Sequence, residues 1–514
     1  MAPALKHQPV NAYTWGCGLF AAVGSLLYGI DSGIVSTTIA QSSFLEYFDP
    51  FSPSMKGALV STFGAGAVFG VFFAGWSADY LGRKKTIMIA AVIALIAGII
   101  QAAAVHIGML IAGRIVGGFA VGIMSKFWVP HHCASSQLPD MTIPIYNSEI
   151  APPHKRGMIA GLHAQFVGIG FATANWVGFG CSYASGQFQW RFPLAFQCLP
   201  AIIVLAGIFW LPYSPRWLLD QDRDEEAYTV IKRLHGGAGD AGGDDSFFCA
   251  EFTQMRDQLR FEKTQQQAGW KDCFTTKSNR QRILLAVLVQ AFTQLSGINV
   301  INYYQTDLYK GLGQTGHNVT LLAGIYGLVG PIANVICLKY VDTWGRRQTL
   351  WITGLIMALD MGLVMGLSGA YGKSDNQIGK GFSIAFIFCF SIIYSLGYNS
   401  IHYIYVPEIM TMAIRSKGSA ISVVSNVLIN IVFNQVSPIA FAEVGYRYYS
   451  LFICTNLVGA IVVFLMFPET KGKSLEEIAH IFGDEIIVAD LATIKAKVDH
   501  VENEQTRDDV DKTK

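Results

Sequence analysis

The chain carries little charge for its length. Only 14% of its 514 residues are Asp, Glu, Lys or Arg, whereas 52% are apolar, and the mean hydropathy is +0.38. A soluble chain usually has about 25% charged residues, so the deficit places this one among membrane proteins. The net charge of +1 leaves no basic or acidic surplus, and we therefore expect no nucleic-acid partner.

Other common signatures are also missing. The nine cysteines contain no CxxC pair, which argues against a disulfide framework or a zinc site. No basic region followed by a short apolar stretch opens the chain, so we expect no signal peptide, and the first spanning helix would direct insertion. There is no phosphate loop and no nucleophile elbow, so the sequence predicts neither an enzyme nor a bound cofactor or metal.

Long apolar runs fill most of the sequence. Their lengths, and the Gly, Pro and charged residues between them, predict an all-α membrane protein with twelve spanning helices in two six-helix halves. The predicted spans are 15–37, 58–78, 86–105, 110–128, 158–180, 192–212, 283–308, 320–341, 349–369, 382–405, 418–441 and 449–467. The predicted domains are a 1–14 tail, a 15–213 half, a 214–281 linker with surface helices, a 282–467 half and a 468–514 tail.

Lys and Arg concentrate in the loops on one side of these spans. Arg83 and Lys84 follow the second span, and Arg346 and Arg347 follow the eighth. The positive-inside rule places these loops, the linker and both termini in the cytoplasm. Asn318 begins an N-x-[ST] sequon in a loop on the opposite side, which agrees with this orientation.

Amide side chains interrupt two of the spans. The seventh contains Gln290, Gln294, Asn299 and Asn302, with Gly297 among them, and the eleventh contains Asn426, Asn430 and Asn434 at i, i+4, i+8. An amide in hydrocarbon is costly unless it has a partner or faces a wet cavity. The set either joins helices by hydrogen bonds or lines a cavity for a hydroxyl-rich ligand, because an amide both donates and accepts.

Two charged residues lie inside spans. Asp31 is in the first and Arg114 is near the start of the fourth. A lone charge in the membrane is costly, so we expect the two to pair with each other or to face water. They could form a static structural pair or a group that takes up and releases a proton.

Charged motifs repeat between the halves. Segment 79–84, D-Y-L-G-R-K, follows the second span, and segment 342–347, D-T-W-G-R-R, follows the eighth. Glu149 with Arg156 before the fifth span matches Glu408 with Arg415 after the tenth. Such duplication is typical of a transporter built from two related halves with its substrate between them.

These motifs resemble the sugar porter family of the major facilitator superfamily across nearly the whole chain. The first half matches at G-R-I-V-G-G 113–118, P-I-Y-N-S-E-I-A-P 144–152 and S-P-R-W-L 214–218, beside the D-Y-L-G-R-K segment. The second half matches at Q-L-S-G-I-N 294–299, Y-Y 303–304, D-T-W-G-R-R 342–347 and P-E-T-K-G-K-S-L-E-E-I 468–478. Segment 175–180, N-W-V-G-F-G, is similar to fungal members that carry hexoses or disaccharides. The resemblance implies a major facilitator fold and sugar transport.

The resemblance also implies roles for single residues. It makes Asp31 the proton carrier and Arg114 its modulator, so a sugar and a proton would be the partners besides membrane lipid. The positions that match or lie beside the family's sugar-binding residues are Gln165, Gln294, Asn299, Tyr403 and Asn430. To these we add Gln290 and Asn426 from the amide pattern. Two positions depart from the family: Thr293 replaces a usual glutamine, and Tyr403, beside His402, stands where many members have tryptophan.

The charged motifs imply gating ion pairs at the cytoplasmic helix ends. The paired residues would be Asp79 with Arg83, Glu149 with Arg156, Asp342 with Arg346, and Glu408 with Arg415. In the family such pairs hold the halves together in the outward-facing state. The alternative is ordinary solvated charge at the inner membrane surface.

Residues 126–140 do not fit the family pattern. The stretch contains Pro130, Pro139 and the triplet His131-His132-Cys133, and its prolines will not continue a helix. The triplet has no further metal ligand at useful spacing. The stretch is either a cytoplasmic loop or a translated, unspliced intron, and we favour the intron.

The sequence therefore predicts a monomeric transporter in the plasma membrane that carries a hexose or disaccharide by alternating access, with a proton. Alternatives are a uniporter, a porter for a polyol or a quinate-like acid, and a transporter-like sugar sensor. Such sensors usually have long cytoplasmic extensions, whereas the predicted tail here is short.

Overall fold

The computed structural model of the protein describes residues 11–125, 142–150, 156–235, 252–253, 255–257, 270–411, 414–471, 473 and 475–483. The predicted insert 126–140 lies outside them. The helices of the first part are α1 (Ala12–Thr38), α2 (Ser42–Tyr47), α3 (Pro53–Tyr80), α4 (Arg83–Ala102), α5 (Ile107–Ser125), α6 (Thr142–Ile150), α7 (Arg156–Cys181), α8 (Phe188–Phe196), α9 (Cys198–Gly207), α10 (Pro215–Asp220) and α11 (Asp224–His235). The second part has α12 (Asp272–Thr275), α13 (Lys277–Leu295), α14 (Ile298–Gly311), α15 (His317–Trp344), α16 (Arg346–Tyr371), α17 (Gln377–Ile409), α18 (Arg415–Val444), α19 (Tyr449–Met466) and α20 (Leu475–Ile481).

The spanning helices agree with the predicted spans. Ten segments of the described residues are long and apolar enough to cross a membrane. One of them, Lys417–Met466, contains both α18 and α19, and the 26-residue α7 is not among the ten. Within the described residues, each of the twelve predicted spans consists mainly of helix, which confirms the all-α membrane fold.

The sixth span is not the single continuous helix predicted over 192–212. It consists of α8, α9 and the 3₁₀ turn Ile208–Trp210. Pro200 near the start of α9 has no N–H to donate to the carbonyl four residues earlier, at Phe196. The α-helical ladder is therefore interrupted at this point.

The same turn precedes α4 and α16. Gly82 has φ 84° and ψ 158°, and Gly345 has φ 84° and ψ 150°. Glycine adopts positive φ without the cost that a Cβ brings. The sequence repeat of the D-x-x-G-R motifs is thus a repeat of backbone geometry. We refer to this side of the helix bundle as the Gly82/Gly345 end.

Close packing joins α1 to α7. A Cβ on Gly29 would lie 2.0 Å from the Val167 carbonyl oxygen, and one on Gly170 would lie 2.3 Å from that of Leu26. Only glycine permits the two backbones to approach this closely, as small residues do at membrane helix contacts.

Among the described residues, three helix pairs make the main contacts between the first group of helices, α1–α9, and the second group, α13–α19. They are α1 with α14, α3 with α18, and α7 with α15. Residues up to Lys471 form one compact unit, and Gly472–Lys514, which contains α20, form another. The predicted domain boundaries stay predictions.

Candidate functional site

A break separates α13 from α14. Gly297 lies between them with φ +92°, and a Cβ on it would come within 2.8 Å of the Phe452 ring. Both the backbone conformation and the space require glycine here. The break places Asn299 in the first turn of α14, beside the last turn of α13, which carries Gln294.

The amides of α13, α14 and α18 form one hydrogen-bonded chain. Asn430 Nδ2 and Asn299 Nδ2 donate to Gln294 Oε1 over 3.0 Å and 2.6 Å. Gln294 Nε2 donates to Asn426 Oδ1 over 2.9 Å, and Asn426 Nδ2 donates to Gln290 Oε1 over 3.0 Å. Five of the seven predicted sugar-binding residues therefore lie together, and we call them the amide cluster.

Members of the amide cluster differ in exposure. Gln290 is 2% exposed and Asn426 is 5% exposed, whereas Asn299 and Asn430 are half-buried. The half-buried pair can therefore meet a ligand, and the other two lie behind it. Asn434, one turn further along α18, donates from Nδ2 to Asn430 Oδ1 over 2.8 Å.

The structure places the other two predicted residues elsewhere. Gln165 Nε2 lies 3.5 Å from the carbonyl oxygen of Pro331, and the side chain lines a cavity of about 630 Å³ between α7 and α15, together with Trp176. Tyr403 is 37% exposed, and its ring lies 3.8 Å from that of the neighbouring His402.

A second polar contact connects the two groups of helices and was not predicted. Gln305 Nε2 and Ser36 Oγ both donate to Asn175 Oδ1, over 3.4 Å and 3.3 Å. Thr306 Oγ1 donates to the Ser36 carbonyl oxygen over 2.9 Å. The sequence shows that these polar residues lie inside apolar spans, which could have marked them as candidates. It does not show which of them contact each other.

Asp31 and Arg114 lie beside each other. Asp31 is 3% exposed and Arg114 is fully buried. Arg114 Nη1 is 3.7 Å from Asp31 Oδ1 and donates to the Asp31 carbonyl oxygen over 3.0 Å. The guanidinium also lies over the Phe63 ring, 4.2 Å from its centroid. Asp31 Oδ1 is buried and accepts no hydrogen bond from a described residue.

Ion pairs fix the Gly82/Gly345 end of each group of helices. Arg83 pairs with Glu149 over 3.0 Å, and Arg346 pairs with Glu408, also over 3.0 Å. Arg415 Nη2 donates to the Met410 carbonyl oxygen over 3.4 Å. The side chains of Asp79, Arg156 and Asp342 lie outside the described part of the chain.

Residues after α19 extend this ion-pair network. Thr470 Oγ1 donates to Glu408 Oε2 over 2.6 Å. Glu469 accepts from the backbone N–H groups of Arg346 over 2.8 Å and Arg347 over 3.1 Å, which caps the start of α16. Burial raises the pKa of Glu469, but hydrogen bonds from backbone N–H groups outweigh this effect, so the pKa lies below its ordinary value.

The opposite end of the bundle, which we call the Lys56 end, has contacts between the two groups of helices. Lys56 on α3 pairs with Asp307 on α14 over 2.9 Å. Lys310 on α14 donates to the Ala40 carbonyl oxygen over 2.9 Å. Ser182 Oγ lies 2.9 Å from His317 Nδ1. These contacts join the two groups of helices at this end.

No metal centre emerges from the described residues, which contain no group of three or more His, Cys, Asp or Glu side chains able to hold an ion. The triplet at 131–133 is not among them.

Comparison with known proteins shows the family. Residues 17–482 match the sequence model described as "Sugar (and other) transporter". The chain is 37% identical to the MFS-type transporter criB of Aspergillus cristatus, over 91% of this chain and 93% of that protein. It is 28% identical to the high-affinity glucose transporter of Kluyveromyces lactis, over 91% and 85%. It is 30% identical to the quinate permease of Neurospora terricola, over 93% and 91%.

The fold has a counterpart among solved structures. The inward-open xylose transporter XylE from E. coli superimposes with a TM-score of 0.73 at 22% identity, over 91% of this chain and 99% of that one. The matching proteins are named as transporters and permeases rather than enzymes. The chain is thus a multi-pass membrane protein that belongs to the sugar transporter family of the major facilitator superfamily.

Proposed function

We propose that the protein carries a hexose or disaccharide across the plasma membrane by alternating access, together with a proton. The amide cluster at the α13–α14 break is the observation that carries this proposal. Its half-buried members, Asn299 and Asn430, offer donors and acceptors of the kind that sugar hydroxyls require. A relative of 28% identity is named as a glucose transporter, which supports a hexose.

Proton coupling rests on Asp31. This acid is buried in a spanning helix with Arg114 only 3.7 Å away. A movement that withdraws the arginine favours the protonated acid, and its return favours release of the proton. A static pair would instead leave transport independent of the proton gradient.

The two ends of the bundle would act as alternating gates. Contacts at the Lys56 end would close one side, and α14 carries two of the residues involved, Asp307 and Lys310. We place this side outside the cell, because the loops rich in Lys and Arg lie at the Gly82/Gly345 end. The pairs Arg83–Glu149 and Arg346–Glu408 would hold the inner helix ends during the cycle.

A porter for a quinate-like acid is the second candidate. A relative of 30% identity is named as a quinate permease. A carboxylate substrate would favour a cation in the binding site, whereas the described hydrogen bonds of the amide cluster join it to neutral groups only. The chemistry of the cluster therefore favours a neutral sugar.

The test is uptake by cells that lack their own sugar transporters. The labelled substrates are D-glucose, D-xylose, maltose and quinate, each with and without a protonophore, and surface expression is measured in parallel. We expect uptake of at least one sugar that the protonophore lowers. Sugar uptake unaffected by the protonophore would indicate a uniporter, and uptake of quinate alone would indicate the second candidate. Sugar binding without uptake would point to a sensor.

A further inference from the structure

The donor and acceptor ends of the amide side chains in the cluster are fixed, starting from Asn426. Asn426 Nδ2 lies 3.2 Å from the backbone carbonyl oxygen of Gln290, as well as 3.0 Å from the Oε1 atom of the same residue. A side-chain amide can be turned end for end, but a backbone carbonyl only accepts. The carbonyl of Gln290 therefore fixes the NH₂ end of Asn426 towards α13.

This orientation determines the next amide. With its NH₂ group committed, Asn426 presents Oδ1 to Gln294, whose Nε2 donates to it over 2.9 Å. Gln294 must then turn Oε1 to its other neighbours, and Asn299 and Asn430 both donate to that atom. The direction set at Asn426 thus reaches the two half-buried residues.

The consequence for a ligand is an acceptor at one defined position. Asn299 has its NH₂ group on Gln294, and its Oδ1 accepts no hydrogen bond from a described residue. The side chain is half-buried, whereas Asn426 is 5% exposed. The Asn299 side chain is therefore more open to a ligand than that of Asn426.

We propose that Asn426 is a positioning residue, which orients the amide chain so that Asn299 offers the substrate an acceptor and selects a hydroxyl that donates. This inference rests on the proposed function, because it takes the amide cluster as the sugar site. If Asn426 is lost, Gln294 can rotate by half a turn, and Asn299 can follow and offer N–H instead. The selectivity for a donating hydroxyl would then disappear.

The experiment compares Asn426→Leu with Gln290→Leu. Both remove a buried amide, and uptake can fall in both. Gln290→Leu keeps the backbone carbonyl that orients Asn426, whereas Asn426→Leu removes the oriented group itself. Asn426→Ala is the second variant in case Asn426→Leu does not reach the membrane.

The first readout is competition of labelled D-glucose uptake by the monodeoxyfluoro analogues of D-glucose, because fluorine cannot donate a hydrogen bond. At one ring position, we expect the apparent inhibition constant of the fluoro analogue to be about tenfold higher than that of unlabelled glucose, both in the wild type and in Gln290→Leu. In Asn426→Leu we expect this ratio to fall to about threefold or less, because a donor now faces the fluorine. An unchanged ratio in Asn426→Leu would overturn the proposal.

The second readout needs no substrate and separates this proposal from the proposed function. Glutamine side chains are labelled with ¹⁵N in the solubilised protein, and the signal of Gln294 is assigned by its loss in Gln294→Leu. We expect this signal to move in Asn426→Leu and to stay close to its wild-type position in Gln290→Leu. The reverse pattern, or no movement in either variant, contradicts the orienting role. Absence of glucose uptake by the wild type contradicts only the choice of glucose.

Discussion

Among the described residues, two acids, Asp31 and Asp360, are buried in spanning helices, and their surroundings differ. Asp31 on α1 has Arg114 beside it, whereas Asp360 on α16 forms no ion pair with a described residue. Only Asp31 therefore has a charged partner that could change its affinity for a proton during the cycle.

We expect Asp31→Asn to abolish accumulation of sugar against a gradient while part of the sugar exchange persists, because asparagine keeps the shape but carries no proton. The measurement is uptake and counterflow of labelled sugar at matched surface expression. Asp360→Asn is the matched control and should still accumulate sugar. An Asp31→Asn variant that concentrates sugar would show that another group carries the proton.

Removal of a single amide tests the amide cluster. Gln294→Ala and Asn430→Ala should each weaken sugar binding by about 1–3 kcal/mol, because a substrate hydroxyl or a neighbouring amide is left unpaired. The measurement is the apparent affinity in uptake assays. Gln187→Ala, an exposed glutamine in a loop, is the control. Unchanged affinity in both amide variants would remove this cluster as the sugar site.

For single residues, the sequence predicted their positions along the helices better than their hydrogen-bond partners. The i, i+4, i+8 spacing of Asn426, Asn430 and Asn434 predicted that these three amides lie on one face of a helix. The apolar residues around Gln294 indicated that this glutamine is unusual for a spanning helix. The sequence could not show that Gln294 Oε1 accepts from two amides at once. Nor could it show that Gln165 lies against Pro331, because such contacts depend on how helices rotate about their axes.

Among the elements, α16 depends on residues far along the chain. Its first N–H groups have Glu469 as acceptor, and its Arg346 meets Glu408. A carboxylate at a helix N-terminus stabilises both the unpaired N–H groups and the helix dipole. The sequence motif containing Glu469 predicted membership of the family, but the cap itself is visible only in the structure.

This cap predicts a dependence on pH. Because the folded protein lowers the pKa of Glu469 below its ordinary 4.5, the carboxylate stabilises the fold above that value and loses its effect as pH falls through the lowered pKa. Glu469→Gln should therefore reduce stability by about 1 kcal/mol near pH 7, with the difference from wild type shrinking in acid.

Thermal unfolding in detergent at several pH values measures this effect. Glu443→Gln serves as a control for the loss of one negative charge, because Glu443 lies exposed near the end of α18. If the stability difference between Glu469→Gln and wild type stays constant with pH, the stabilisation does not come from an ionised Glu469 cap.

At the scale of the molecule, the two groups of helices meet at the Lys56 end through α14. Lys56 and Asp307 are partly exposed, so the pair itself contributes only about 0.2–1 kcal/mol. Its position matters more than its strength, because it joins α3 to a helix that begins at the Gly297 break. The apolar spans allowed the fold to be predicted from the sequence. They did not predict the contacts between the two groups of helices at this end.

Cross-linking tests whether opening of these contacts is part of transport. We expect Lys56→Cys combined with Asp307→Cys, bridged by a short bifunctional thiol reagent, to stop uptake, because the outer side can no longer open. Each single variant, treated with the same reagent, is the control for the native cysteines. A bridged protein that still transports sugar would mean that the two groups do not separate at this end.

The glycine contact between α1 and α7 bears on how mutational screens of this protein should be interpreted. Gly29 and Gly170 touch no candidate ligand group, yet even alanine would push the Val167 and Leu26 carbonyls away. A saturation screen scored by growth on sugar would rank these glycines beside Asn430 as essential. Counting surface-expressed protein for each variant, by sorting cells before the growth assay, would separate the positions that hold the scaffold from those that recognise the cargo.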